Sequence, residues 1–267
     1  MDMTGKVASR MDEGGYVLIT GASSGIGAEL AALYAARGRG LVLWGRDAVR
    51  LENVAGHARS RGVKVHTRVL DLMDGAAAIA ALREDDGSYP LDIAILAAGL
   101  GDMRRGNDVV ERAEDVLRLG LVNYATPSAM AAAAAECMVK RGRGHIVLIG
   151  SVAAFHALPF AAAYSGSKAG IKRFAEAQQM ALAPLGIGVT LVSPGFVDTP
   201  MSRRVVGAKP FMQSASAAAR RIADAVDRNR PHLVFPFIFS VLRLIDTLVP
   251  WPFKRRILSA IKADQMN

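Results

Sequence analysis

Short runs of consecutive apolar residues alternate along this chain with longer stretches of helical character. The runs are YVLIT (16–20), LVLWG (41–45), VKVHTRVL (63–70), LDIAIL (91–96), GHIVLIG (144–150) and GVTLVS (188–193). Their Val, Ile and Leu fill neighbouring positions rather than every second one, which predicts strands buried on both faces, as parallel strands are. Ala-rich helical stretches lie between them, at about 25–37, 47–61, 74–84, 107–140 and 162–184. A segment at 216–230 adds a helix with Arg and Asp on its wet face, and 232–235 reads as a last strand. Such alternation predicts an α/β fold: one parallel sheet of about seven strands, right-handed crossovers, and helices on both faces. Ligands on a sheet of this kind bind at the carboxyl ends of the strands.

Composition narrows the class. Apolar residues make up 51% of the 267 and charged residues 21%, a globular balance, with no Pro/Gly/Ser-rich linker dividing the chain. The expected organisation is a loose leader over 1–14, a single domain over 15–235 with a lid-like segment at about 199–230, and an apolar and basic extension over 236–267. The leader lacks the apolar core of a signal peptide. A single cysteine, Cys137, excludes an intramolecular disulfide and suits a reducing, cytoplasmic location. Five scattered histidines offer no paired ligand spacing, so no metal is expected. The net charge of +9 is uneven, because residues 203–267 hold twelve Lys/Arg against four Asp. That distribution, without basic patches interleaved with aromatics, argues against nucleic acid as a partner.

Candidate chemistry begins after the first strand, in TGASSGIG (20–27). Gly21, Gly25 and Gly27 allow a tight turn, a close approach of backbone N–H groups to a phosphate, and a helix seated near its strand. The helix start then meets a pyrophosphate with its positive end. At the end of the second strand Gly45 stands where an acidic residue would bind ribose hydroxyls, and Arg46 follows. An arginine there can pair with a 2′-phosphate, which favours NADP(H) over NAD(H), with Ser23 and Ser24 as further donors. Arg46 is also readable as a solvated side chain, and Asp47 as a helix cap. Asp71, after the third strand, either reaches the adenine or caps a helix.

The stretch FAAAYSGSKAGIKRF (160–174) sets Tyr164 and Lys168 one helical turn apart, on one face. A phenol of pKa near 10 is a poor acid or base at neutral pH unless a neighbouring cation stabilises the phenolate, and Lys168 is such a cation. Ser151, at the end of the fifth strand, can donate a hydrogen bond to a carbonyl oxygen while Tyr164 delivers or removes its proton and hydride passes to or from a nicotinamide.

Taken in order, TGASSGIG, AAG (97–99), Asn123, Ser151, YSGSK (164–168) and PGFVDT (194–199) resemble the short-chain dehydrogenase/reductase family, in its form of about 250 residues. The resemblance covers roughly residues 16–200 and implies a Rossmann-type doubly wound sheet. It implies Tyr164 as general acid/base, Ser151 as the group that polarises the carbonyl, and Lys168 as the cation that lowers the tyrosine pKa and binds the nicotinamide ribose. Asn123 corresponds to an asparagine that holds a water in the proton relay. Cofactor contacts are implied at Gly21, Ser23, Ser24, Gly25, Ile26, Gly27, Arg46, Asp71, Leu72, Ala98, Gly99, Tyr164, Lys168, Pro194, Gly195, Val197 and Thr199. Val197 would lie near the carboxamide and Thr199 near the phosphates. Leu96 departs from the family, which usually has Asn in that stretch, and is expected to alter local hydrogen bonding without abolishing catalysis. A homodimer or homotetramer is implied as well.

The reading is therefore an NADP(H)-dependent oxidoreductase that reduces a ketone or aldehyde to an alcohol, or the reverse, on a hydrophobic, lipid-like or steroid-like substrate. The alternative is a non-catalytic NADP(H)-binding or redox-sensing protein, which would have no use for Tyr164. Past Pro200, 201–214 reads as the lid. Apolar Ile238, Val241, Leu242, Ile245, Leu248 and Val249 recur at helical spacing, followed by Trp251, Phe253 and a Lys254–Arg256 cluster. Pro236, Arg243, Asp246 and Pro250 interrupt the stretch, against a spanning helix. It suits a peripheral membrane contact, a wall for a lipid-like or steroid-like substrate, or packing on the domain's own core or a partner subunit.

Overall fold

The computed structural model describes residues 15–101, 110–205 and 207–239. Six of the strands follow the apolar runs: β1 (Tyr16–Thr20), β2 (Leu41–Gly45), β3 (Val65–Val69), β4 (Leu91–Leu96), β5 (Gly144–Ile149) and β6 (Ile187–Pro194). With β9 (His232–Phe235) they form a seven-stranded parallel sheet in the order β3-β2-β1-β4-β5-β6-β9. A short parallel pair, β7 (Val197–Asp198) with β8 (Gln213–Ser214), stands apart from it. The helices are α1 (Gly25–Ala36), α2 (Ala48–Arg59), α3 (Gly75–Ser88), α4 (Ala113–Gly120), α5 (Thr126–Arg141), α6 (Ala162–Leu182), α7 (Pro200–Arg203) and α8 (Ala215–Asp227). The sheet and flanking helices are the doubly wound architecture the sequence predicts.

Strand alternation divides the core in two. Val17 and Ile19 of β1, with Ile93 and Ile95 of β4, pack under Leu30, Tyr34, Leu51, Ile222 and Val226 of α1, α2 and α8. Leu18, Ala94 and Leu96 point the other way, onto Ala78 and Leu82 of α3, Met130 and Met138 of α5, and Ile171 of α6. Each large aliphatic side chain so enclosed contributes about 1.5–3 kcal/mol. On α1 the buried set Gly27, Leu30, Ala31, Tyr34 falls at three- and four-residue steps, the spacing of one helix face. Leu96 is core: it pairs in register with Thr20 on one side and Leu148 on the other.

Three of the boundaries that differ from the sequence reading have a visible cause. Helix α3 runs on to Ser88 rather than stopping near 84, because Asp85 and Asp86 are buried and paired. Asp85 accepts from Trp44 Nε1 at 2.8 Å and from Arg68, and Asp86 takes Arg141 at 2.6 and 2.7 Å. The long helix expected over 107–140 is interrupted: α4 passes into one π-helical turn, Leu121–Ala125, before α5, and 107–109 lie outside the described residues. β3 is shorter than its apolar run, as expected of a partly exposed edge strand. The strand order reverses at β1, since β2 and β4 lie on its two sides, and a crevice opens there at the carboxyl ends.

Candidate active site

The turn from β1 into α1 forms one wall of that crevice. Gly21 and Gly25 have φ of 68° and 55°, the left-handed region that a side chain disfavours. Space forbids side chains as well: a Cβ on Gly21 would lie 2.9 Å from the Ala98 Cα, and one on Gly27 would lie 2.3 Å from the Gly21 carbonyl oxygen. A Cβ on Gly25 would reach Thr199 Cγ2 at 3.0 Å, so the glycine turn and Thr199 face each other closely. Ser24 occupies the N-cap of α1, yet its side chain makes no capping bond. Bare backbone at a helix start is the geometry that suits a dinucleotide pyrophosphate.

Residues expected to select the cofactor gather at the adjoining end of β2. Gly45 is buried, and a Cβ there would sit 3.2 Å from both Cβ and Oγ of Ser23, so an added carboxylate would crowd that serine. Arg46 is exposed, with NH1 3.8 Å from Asp71 Oδ2, a loose pair between half-exposed side chains. Asp71 accepts from the Met73 amide, and the cap of α3 is Asp74, so Asp71 does not cap that helix. Asp47 does cap α2, accepting from the Arg50 amide at 2.9 Å. Leu72 is buried, and its carbonyl oxygen accepts from Thr126 Oγ1.

Next along the crevice are the ends of β4 and β5. Thr20 Oγ1 accepts from the Ala98 amide at 3.0 Å, holding the Ala98–Gly99 exit of β4 against β1. The sequence reading overlooked this link; a threonine that opens a glycine turn was its only trace. Lys168 is buried on α6 and its Nζ donates to the Ile149 carbonyl oxygen at 2.9 Å. The same Nζ lies 5.9 Å from the centre of the Tyr164 ring. Burial pulls the ammonium down from 10.5 to about 8, so it still carries its proton at neutral pH. Ser151 lies two residues past the end of β5; its Oγ accepts from the Ala153 amide at 3.1 Å, which leaves the hydroxyl proton available to another acceptor.

Asn123 sits in the π-helical turn, and its amide does structural work. Oδ1 accepts from the Leu100 amide at 2.7 Å and Nδ2 donates to the Leu100 carbonyl at 2.9 Å, as a neighbouring strand would. Nδ2 also donates to Ser167 Oγ at 3.4 Å, tying the β4 exit to the helix of Tyr164 and Lys168. A Cβ on Gly99 would lie 3.2 Å from Asn123 Oδ1 and 3.6 Å from Lys168 Nζ, so the three residues share one small volume. Single π turns inside helices are frequent at functional sites.

The PGFVDT segment closes the crevice. Gly195 donates its amide to Phe235 O at 2.8 Å as the chain leaves Pro194, and Val197 is buried in β7. Thr199 caps α7 through a reciprocal pair with Ser202. Met201 lies against Gly101, where a Cβ would meet its Cγ at 3.1 Å, and Phe211 and Met212, further along the same segment, are exposed. Phe237 and Ile238 are exposed too, while Val241 to Arg256 of the C-terminal stretch lie outside the described residues. Among the described residues no helix is long and apolar enough to cross a membrane, and no cluster suits a metal ion.

Comparison with known proteins bears on the family and the fold. A family model described as short chain dehydrogenase matches residues 15–209. Dehydrogenase/reductase SDR family member 7B of Mus musculus is 32% identical over 94% of this chain and 82% of its own. An uncharacterized oxidoreductase of Myxococcus xanthus is 30% identical over 88% and 92%. A short-chain dehydrogenase from Sphingobium yanoikuyae, solved in complex with NADPH, matches with a TM-score of 0.77 and 33% identity over 93% of this chain and 96% of its own. The bulky-bulky ketone specific alcohol dehydrogenase from Comamonas testosteroni matches with a TM-score of 0.76 and 29% identity over 93% and 95%.

Proposed function

The chain belongs to the short-chain dehydrogenase family of nicotinamide-dependent oxidoreductases acting between CH–OH and C=O groups, and we propose that this member uses NADP(H) to reduce a hydrophobic ketone or aldehyde, or to run the reverse oxidation. The observation that carries the reading is the buried Lys168 ammonium, bonded to the Ile149 carbonyl and lying under the Tyr164 ring. A cation held there has no solvent to satisfy it, and its field favours the phenolate form of a tyrosine one turn away.

A bound nicotinamide supplies or accepts the hydride. The chain's own residues handle the proton and the oxygen. Ser151 donates its hydroxyl hydrogen to the substrate carbonyl oxygen, which polarises the C=O bond and fixes its orientation. Tyr164 gives its phenolic proton to the same oxygen as negative charge develops there, and Lys168 stabilises the phenolate that results. In the oxidation direction the phenolate takes the alcohol proton back. Asn123 fixes the β4 exit beside Lys168 and holds the water through which the site recovers its proton.

NADP(H) preference is supported by Gly45 and Arg46, which offer no acidic side chain to the ribose and one guanidinium to a 2′-phosphate. Support also comes from the Sphingobium yanoikuyae relative, solved with NADPH. Exposed Met201, Phe211 and Met212 in the segment after Thr199 favour an apolar substrate, and the Comamonas testosteroni enzyme, specific for bulky-bulky ketones, points the same way. The test is steady-state turnover of NADPH and NADH on methyl ketones of increasing chain length and on bulky aryl ketones. The reading expects NADPH-dependent reduction that improves with apolar size; equal use of both cofactors, or a preference for small polar carbonyls, would sink those parts of it.

A further inference from the structure

Helix α6 begins without a cap of its own. Its N-cap residue is Ala161, whose methyl accepts nothing, and the Ser165 amide makes the first bond back to the Ala161 carbonyl at 2.9 Å. The amides of Ala162, Ala163 and Tyr164 therefore have no acceptor within the helix. A partner for the middle one comes from 52 residues earlier: both carboxylate oxygens of Glu111 accept from the Ala163 amide, at 3.0 and 3.2 Å. Glu111 is half-buried on the approach to α4. A full negative charge thus meets the positive end of the longest helix among the described residues, through a charge-assisted bond to the residue just before Tyr164.

The two functional residues on α6 are held unequally. Lys168 lies a turn deeper, buried and bonded to Ile149. Tyr164 is the third residue of the helix, where ends fray, and the side chain that bonds the preceding amide comes from a different element. Resting on the reading of Tyr164 as the proton-transfer group, we propose that Glu111 is a positioning residue for it. Glu111 pins the first turn of α6 from outside the helix and so fixes the phenol relative to Lys168 and Ser151. It touches neither substrate nor cofactor in this role and acts through the Ala163 backbone.

Glu111→Ala and Glu111→Gln are compared with the wild type in the full chain, by hydrogen exchange of residues 162–168 and by NADPH turnover on the methyl ketone the wild type reduces fastest. In the alanine variant the helix start exchanges faster and kcat falls by about tenfold or more, while KM for NADPH stays within about twofold. Glutamine keeps an acceptor oxygen for the Ala163 amide and restores most of both losses. If the alanine variant does not fold, Glu111→Met retains the aliphatic stem without the acceptor and takes its place. A helix start that exchanges as in the wild type overturns the proposal, and so does a loosened helix with unchanged kcat. Should the wild type reduce no ketone, the functional reading falls, while the exchange comparison still decides whether Glu111 holds the turn.

Discussion

Lys168 Nζ lies 5.9 Å from the centre of the Tyr164 ring while donating to the Ile149 carbonyl oxygen at 2.9 Å. One buried cation therefore faces both the end of β5 and the phenol, and the residue after β5 but one is Ser151. The carbonyl of Ile149 satisfies part of the ammonium without neutralising it. The charge thus survives burial, and its field reaches the aromatic ring through a medium that screens it far less than water would.

Replacing Tyr164 with Phe removes the proton donor and keeps the ring over Lys168. Reduction should fall by about a hundredfold to ten-thousandfold, the range that general acid catalysis supplies. NADPH binding, followed by cofactor fluorescence, should stay near the wild-type value, as should the melting temperature. Turnover that survives in this variant would assign the proton transfer to another group.

Arg46 pairs only loosely with Asp71 at 3.8 Å, so its guanidinium is available to a 2′-phosphate at small cost. Arg46→Ala should weaken NADPH binding by about tenfold or more, the worth of a charge-assisted contact, and leave NADH binding nearly unchanged. Parallel titrations of both cofactors check the difference. Equal losses for the two would place Arg46 outside the phosphate contact.

The strands were legible because burial on both faces leaves consecutive Val, Ile and Leu, and the glycine turn because the positive φ at Gly21 and Gly25 strongly favours glycine. The π turn at Leu121–Ala125 was not legible: one widened turn hardly disturbs the helical pattern of the residues around it, and Asn123 looks like any polar residue on a long helix. Glu111 was equally hidden, since its partner is a backbone amide 52 residues away. Asp85 and Asp86 lie past the expected helix end near 84, yet both are helical and buried, because Arg68 and Arg141 from other elements reach them. Local patterns report burial and backbone shape; pairings across the fold leave no local mark.

His145 predicts an acid limit to stability. Thr190 spends its hydroxyl hydrogen on the Arg230 carbonyl at 2.7 Å, so it accepts from His145 Nε2 at 2.8 Å, and the buried Nδ1 has no partner among the described residues. Burial lowers the imidazole from 6.5 to about 4. Between those values the unfolded chain binds a proton that the folded chain refuses, so stability is full above 6.5 and lost as pH falls towards 4, by about 3 kcal/mol in all. His145→Gln, whose amide can still donate to Thr190, should flatten that part of the pH dependence in urea denaturation. An unchanged slope would locate the acid sensitivity elsewhere.

Lys168 predicts a conflict between stability and activity. Its ammonium is lowered from 10.5 to about 8 by burial, so the folded protein disfavours the charged form that the Tyr164 phenolate requires. The sign is opposite to that of a lysine gaining an acidic partner: stability rises with pH from about 8 to 10.5, where the unfolded chain still holds the proton and the folded chain has shed it. Lys168→Met, similar in length and uncharged, should therefore stabilise the cofactor-free protein at neutral pH. The gain should reach at most about 3 kcal/mol, reduced by the lost bond to Ile149, while turnover collapses. The stability gap between variant and wild type should narrow as pH climbs through that window. A variant less stable than the wild type at neutral pH would mean that the Ile149 bond outweighs the cost of burying the charge.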